Sequence, residues 1–251
     1  MPHPAIAASG LTKYYGTSVA VDGVDLAIED GTVYGFLGPN GAGKTTTMRM
    51  LTTLTRPTAG EAAITGVPIS DRDGVRDAIG YLPEDPPVFD ELTGREQLAY
   101  FARLRDIPSD EADRRIEQWL DRFGLTDDAG KRIDDYSKGM RQKIGLIQAL
   151  LHAPDVLFLD EPTSGLDPRA ARTVMDVIAE LADEGHTIFL STHILPVVEE
   201  LADEVGVLAD GRIVTEGAPA ELTAALESGE DSSLEDVFLA VTTDRTAVPE
   251  P

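Results

Sequence analysis

Short apolar runs alternate with stretches of helical periodicity along most of the chain, the pattern of a mostly parallel sheet in an α/β fold. Residues 33–37 have the composition of a strand, and it breaks into Gly38-Pro39-Asn40-Gly41-Ala42-Gly43. Residues 44–54 then suit a helix, which Pro57 must stop. Residues 156–159, 187–190 and 205–208 are almost wholly apolar, which predicts strands buried on both faces. Asp167-Pro168 opens a helix with Val174, Val177, Ile178 and Leu181 on one face, and Gly185 ends it.

The middle of the chain follows another pattern. Thr93-Gly94-Arg95-Glu96 is a capping box for a helix that aligns Leu98, Phe101 and Leu104. The next helix carries the stripe Ala112, Ile116, Trp119, Leu120 and Phe123, and Gly124 stops it. Neither has a strand beside it. The pattern therefore predicts a helical lobe over residues 86–150, inserted into a core formed by residues 1–85 and 151–225. Residues 226–251 should hold a short amphipathic helix, opened by Ser232-Ser233-Leu234-Glu235, and a loose tail from Thr242.

Charge changes the picture. Of 251 residues, 45 are Asp or Glu against 21 Lys or Arg, a net charge of −24. Such a field repels nucleic acid and anionic lipid headgroups, so neither is an expected partner. The five lysines are Lys13, Lys44, Lys131, Lys138 and Lys143. An acidic, lysine-poor surface is a feature of halophiles, whose salt screens self-repulsion, and a halophilic archaeal source is the expectation. The chain has no cysteine, which removes disulfides, thiolate metal sites and cysteine nucleophiles. No run of apolar residues is long enough to span a bilayer, and no leader pattern opens the sequence. A cytoplasmic chain without direct membrane insertion is expected; any spanning falls to a partner.

Residues 38–45 fit the phosphate-binding pattern G-x-x-x-x-G-K-T between a predicted strand and helix. Small residues let consecutive backbone N–H groups of the loop Gly38-Pro39-Asn40-Gly41-Ala42-Gly43 converge on phosphate oxygens, Pro39 itself having none. The Lys44 ammonium would reach the β- and γ-phosphates of a nucleotide, and the Thr45 hydroxyl would sit on Mg²⁺; Thr46 follows on the same helix. The strand at 156–159 delivers Asp160 and Glu161 at its carboxyl end, where open α/β sheets place ligands. Asp160 would hold Mg²⁺ through water and Glu161 would polarise the attacking water. His193 follows the next strand and can contact the γ-phosphate. Ser137, Lys138 and Gly139 open a further helix. Ser137 is either a plain N-cap or part of a second anion site, and a second site implies a two-fold dimer that traps ATP between copies.

The set formed by residues 38–45, 136–142, 156–161, 164–167 and His193 resembles the nucleotide-binding subunit of ABC transporters, in order and spacing, across residues 5–240. The resemblance implies a RecA-like P-loop NTPase core with an antiparallel β part near the N-terminus and a helical lobe. It also implies a head-to-tail dimer, with itself or a related ATPase subunit, that closes on two ATP and opens after hydrolysis. Tyr15 would stack on adenine, and Ser164 to Asp167 would line the dimer seam.

Three positions depart from the family pattern. Glu84 stands where glutamine is usual, at the metal or its water and beside the membrane partner. Lys138 replaces the first glycine of Leu-Ser-Gly-Gly-Gln and Met140 its glutamine. These variants, with Leu234-Glu235-Asp236-Val237-Phe238, resemble the ATPases of ABC-2-type exporters, which implies an ABC-2 permease and a location on the inner face of the cell membrane. The competing reading is a soluble ABC ATPase acting on a cofactor-assembly scaffold or on nucleic acid; a P-loop kinase would leave the Ser137 helix without a task.

Overall fold

The computed structural model describes residues 4–224 and 233–243. Two sheets organise the chain. A four-stranded antiparallel sheet has the order β2 (Ser18–Ile28), β1 (Ile6–Tyr15), β4 (Ala59–Ile64) and β5 (Val67–Pro68). A six-stranded sheet has the order β10 (Arg212–Gly217), β9 (Glu204–Ala209), β3 (Val33–Leu37), β8 (Thr187–Thr192), β7 (Val156–Asp160) and β6 (Ile79–Leu82). Only its β10–β9 pair is antiparallel. This is the α/β P-loop NTPase fold with an antiparallel part.

The apolar runs form the central strands because both of their faces are covered. Alternate side chains of one strand enter different cores, as the pleat demands. Leu157 and Leu159 pack with the helices α5 (Lys138–Leu150) and α6 (Pro168–Asp183), through Ile144, Ile147, Val174 and Ile178. Val156 and Phe158 point the other way, toward Met48 and Leu51 of α1 (Lys44–Leu51) and toward the antiparallel sheet. An aromatic cluster of Tyr34, Phe36, Phe158 and Phe189 fills that second core, with adjacent ring centroids 5.1–6.4 Å apart.

Between β6 and β7 the chain leaves the sheet for α3 (Gly94–Leu104), α4 (Ser109–Arg122) and then α5. The reciprocal bonds of the Thr93–Glu96 capping box are both present. Ala112, Ile116, Leu120 and Phe123 are buried, while Trp119 is half-buried with the Arg122 guanidinium 5.1 Å from its ring. Gly124 takes a φ of 63°, the left-handed turn that ends the helix.

Two boundaries differ from the sequence pattern. The helix after the phosphate loop ends at Leu51, not Leu54, because Thr53 turns left-handed at φ 62°. At α9 (Leu234–Thr243), Ser233 and Asp236 make the reciprocal cap, one residue along from Ser232 and Glu235. The helix starts at Leu234, so Ser233 holds the capping position; Ser232 and the tail from 244 lie outside the described residues. Leu234 and Val237 pack against Val198, Val205 and Val207 at the far edge of the large sheet.

Candidate functional site

β3 ends at the carboxyl edge of the sheet and its chain turns through residues 38–43 into α1. Gly43 sits at φ 111°, and a Cβ there would collide with the Ala20 carbonyl of β2. A Cβ on Gly38 would lie 2.5 Å from the Leu208 carbonyl oxygen. The loop is thus wedged between β2 and β9, and only glycine fits at its two tightest points. Because α1 has no side-chain cap, its first N–H groups face the cleft and favour an anion there.

The cleft has a volume of about 480 Å³. It is lined by Pro39, Asn40, Gly41, Gly43, Lys44, Thr45 and Thr46 from the loop and α1, with Glu84, Glu161 and His193 from three separate strand ends. Gly38 and Ala42 pack beneath it. Lys44 is only 6% exposed; its Nζ donates to the Gly38 carbonyl at 2.7 Å and lies 3.6 Å from Glu161 Oε1. The same carboxylate oxygen lies 2.9 Å from His193 Nδ1. Glu161 is itself left-handed, at φ 50°, which costs a non-glycine residue on the order of 1 kcal/mol or more. Its N–H donates to the Ser191 carbonyl and its Oε2 accepts from Thr192 Oγ1, so β8 holds it there.

Asp160, 1% exposed, accepts from Ser191 Oγ at 2.5 Å and from Thr45 Oγ1 at 3.4 Å. One hydroxyl beside one buried carboxylate suits Mg²⁺, which retains waters and takes its remaining ligands from phosphate oxygens. Among the described residues no group of three or more His, Asp or Glu could hold a metal ion without other ligands. Tyr81 stands beside this pair: burial, then the Asp160 charge, push its hydroxyl up to about 12, against a smaller opposing pull from Arg49.

The other sequence-derived candidates stand apart. Ser137, Lys138, Gly139 and Asp167 do not line the cleft. They gather where α5 and α6 begin: Ser137 Oγ caps its own helix at Met140 N–H, and Asp167 caps α6 at Arg169 and Ala170. Lys138 Nζ arches over Gly165 in the loop after Glu161. Tyr15, half exposed at the end of β1, also lies off the cleft, with Lys13 Nζ 5.2 Å from its ring centroid. Sequence reasoning missed Ala20 as a wall of the cleft, and it missed Ser191 and Thr192 as supports of the two carboxylates. The sequence of β8 would have revealed the last two, since hydroxyls at the end of a fully buried strand need partners.

The chain resembles known proteins over most of its length. Residues 21–164 match the ABC transporter family. The chain is 43% identical over 228 residues to the daunorubicin/doxorubicin resistance ATP-binding protein DrrA of Streptomyces peucetius, covering 90% of this chain and 69% of that protein. It is 40% identical over 213 residues to the bacitracin transport ATP-binding protein BcrA of Bacillus licheniformis, covering 84% and 69% respectively. A solved ATP-binding subunit of an ABC transporter superposes with a TM-score of 0.85 at 29% identity, over 94% of this chain and 99% of that one. Among the described residues no helix is long and apolar enough to cross a membrane.

Proposed function

The chain belongs to the ABC transporter family as an ATP-binding, ATP-hydrolysing subunit, and from that premise we propose that it drives export through a separate ABC-2-type membrane permease. Two relatives named for drug resistance and bacitracin transport support the export direction. The chain would then sit on the inner face of the cell membrane, held by the permease.

The loop at residues 38–45 holds the β- and γ-phosphates of ATP, with the Lys44 ammonium on their oxygens. Thr45 and Asp160 would hold Mg²⁺, and Glu84 faces the same cleft. When bound, the ion neutralises charge on the phosphate oxygens. Glu161 accepts a proton from the attacking water, and His193 fixes the Glu161 carboxylate and reaches the γ-phosphate. Tyr15 stacks on adenine.

Ser137, Lys138 and Gly139 serve the ATP of a second copy, and Asp167 serves the seam between copies. Their separation from the cleft within one chain supports this reading, since in a two-fold pair each copy can complete the other's site. Closure of the pair would drag the helical lobes, and the groove between core and lobe would pass the motion to the permease.

The observation that carries the proposal is the Glu161 carboxylate, buried, strained and placed 2.9 Å from His193 and 3.6 Å from Lys44 at the mouth of the phosphate loop. Glu161→Gln tests it. The variant should bind MgATP and lose about 10²-fold or more of its turnover, the usual contribution of a general base. Turnover at the parent rate would remove Glu161 from that role.

A further inference from the structure

The antiparallel sheet tapers toward one end. At alternate positions β1 reads Ile6, Ala8, Gly10, and β4 reads Ile64, Ala62, Gly60. Ile6 pairs with Ile64 and Ala8 with Ala62, so side-chain volume shrinks in step on both strands. The backbones meet where the series ends: a Cβ on Gly60 would lie 2.2 Å from the Gly10 carbonyl oxygen. Ile6, Ala8, Ala62 and Ile64 share one core with Met48 and Met50 of α1. Beyond the isoleucines, alanine and glycine leave the space under the end of that helix open. A cavity of about 700 Å³ forms there, larger than the nucleotide cleft and of a size that takes a small molecule.

Its walls are fixed by hydrogen bonds. Thr55 N–H donates to the Arg49 carbonyl at 2.9 Å, Thr58 N–H to the Thr12 carbonyl at 2.8 Å, and Lys13 Nζ to the Arg56 carbonyl at 2.7 Å. Across the cavity, Ile69 N–H donates to the Ala62 carbonyl at 2.9 Å, and Asp71 caps α2 (Arg72–Ala78) through Gly74 N–H. The site is therefore preformed. Met50 and Ile69 supply apolar walls, and Arg56 and Arg72 supply two guanidinium groups. Both arginines are exposed, and neither pairs with a carboxylate among the described residues. Glu61 is the one carboxylate of the lining, and the pleat turns it, with its partner Ser9, to the face opposite Ala62. In a chain of net charge −24, two unpaired cations beside an apolar cavity are an exception to the overall field, and they favour an anion.

We infer that this cavity binds an apolar organic anion: a ring system or chain that covers Ala8 and Ala62 between Met50 and Ile69, with one carboxylate or sulfonate at the arginine rim. Burial of the apolar body supplies affinity. The guanidinium groups supply selectivity, since a neutral counterpart gains nothing from them and a cation meets like charge. No residue lines both this cavity and the nucleotide cleft, so the site does not depend on the transporter reading. The two are joined only through α1, which begins at Lys44 and ends over the cavity.

Two fluorescent probes test this on the folded full chain: 1-anilinonaphthalene-8-sulfonate and its uncharged relative N-phenyl-1-naphthylamine. A saturating non-hydrolysable ATP analogue is present, so that the nucleotide cleft is filled. The sulfonate should bind about one equivalent per chain, roughly tenfold tighter than the neutral dye. Arg56→Glu, at an exposed side chain, should weaken the sulfonate about tenfold and leave the neutral dye unchanged. Ala62→Leu, which fills the floor, should weaken both dyes; circular dichroism checks that it folds, and Arg56→Glu decides the question if it does not. Leu104→Ser, on the exposed surface of the helical lobe, should change neither. No binding, equal affinity for the two dyes, sulfonate binding indifferent to Arg56→Glu, or binding lost with Leu104→Ser would each overturn the site.

Discussion

Lys44 Nζ and Glu161 Oε1 lie 3.6 Å apart, both groups more than nine-tenths buried, in a site built to receive phosphate. Lys44 also donates to the carbonyl of Gly38 in its own loop. The ammonium is therefore folded back on the protein. On the proposed mechanism, phosphate oxygens draw it away from the carboxylate as the nucleotide enters, which frees Glu161 for water. Substrate binding and release of the base are then a single rearrangement.

Lys44→Ala removes the cation that must move. Hydrogen bonds to a charged donor contribute about 1.5–3 kcal/mol, so ATP affinity should fall roughly 10- to 100-fold. Equilibrium binding of a fluorescent ATP analogue measures this, and unchanged affinity would refute the phosphate-loop assignment.

His152 offers a pH prediction away from the cleft. Its Nε2 lies 2.8 Å from the Ile79 carbonyl oxygen, and burial, then the Arg105 charge, lower its pKa to about 4. The unfolded chain takes up that proton near pH 6.5, so it binds more protons than the folded chain between the two values. Stability should fall as pH drops from about 6.5 to 4, by on the order of 2 kcal/mol for this partly exposed group. His152→Gln should flatten that part of a urea-unfolding profile measured across pH; a profile of undiminished slope would assign the loss to other groups.

Salt should stabilise the fold. The net charge of −24 repels itself, and the screening length shrinks from about 10 Å at 0.1 M to about 3 Å at 1 M. The thermal midpoint should rise with KCl through the molar range. A midpoint that fell would show that the acidic surface is not adapted to salt.

Much of this could be read in the sequence, and what escaped has physical causes. Strands β3, β7, β8 and β9 announced themselves because two-sided burial leaves a continuous apolar run inside each, with polar residues only toward the ends. β10 did not: its residues are half-buried or exposed, and Arg212 and Glu216 break any apolar run. The β1–β2 pair was masked by register shifts around Leu11 and Lys13, which disrupt the alternation a hairpin would show. Within the cleft, residues that act through a side chain in a recognisable motif were legible, Lys44 and Glu161 above all. Ala20 was not, because its part is played by a backbone carbonyl packed against Gly43, and a carbonyl has no letter in the sequence.

The central claim is that one copy's phosphate loop works with the other copy's Ser137 helix. Mixing two disabled chains tests it most directly: Lys44→Ala, which lacks the phosphate cation, and Ser137→Arg, which blocks the start of α5. Each alone should show almost no ATP turnover. Mixed in molar KCl, they should recover part of it, because a mixed pair holds one site with an intact Lys44 and an intact Ser137. Turnover that stays at the sum of the two single variants, or Ser137→Arg alone hydrolysing ATP at the parent rate, would contradict a shared site.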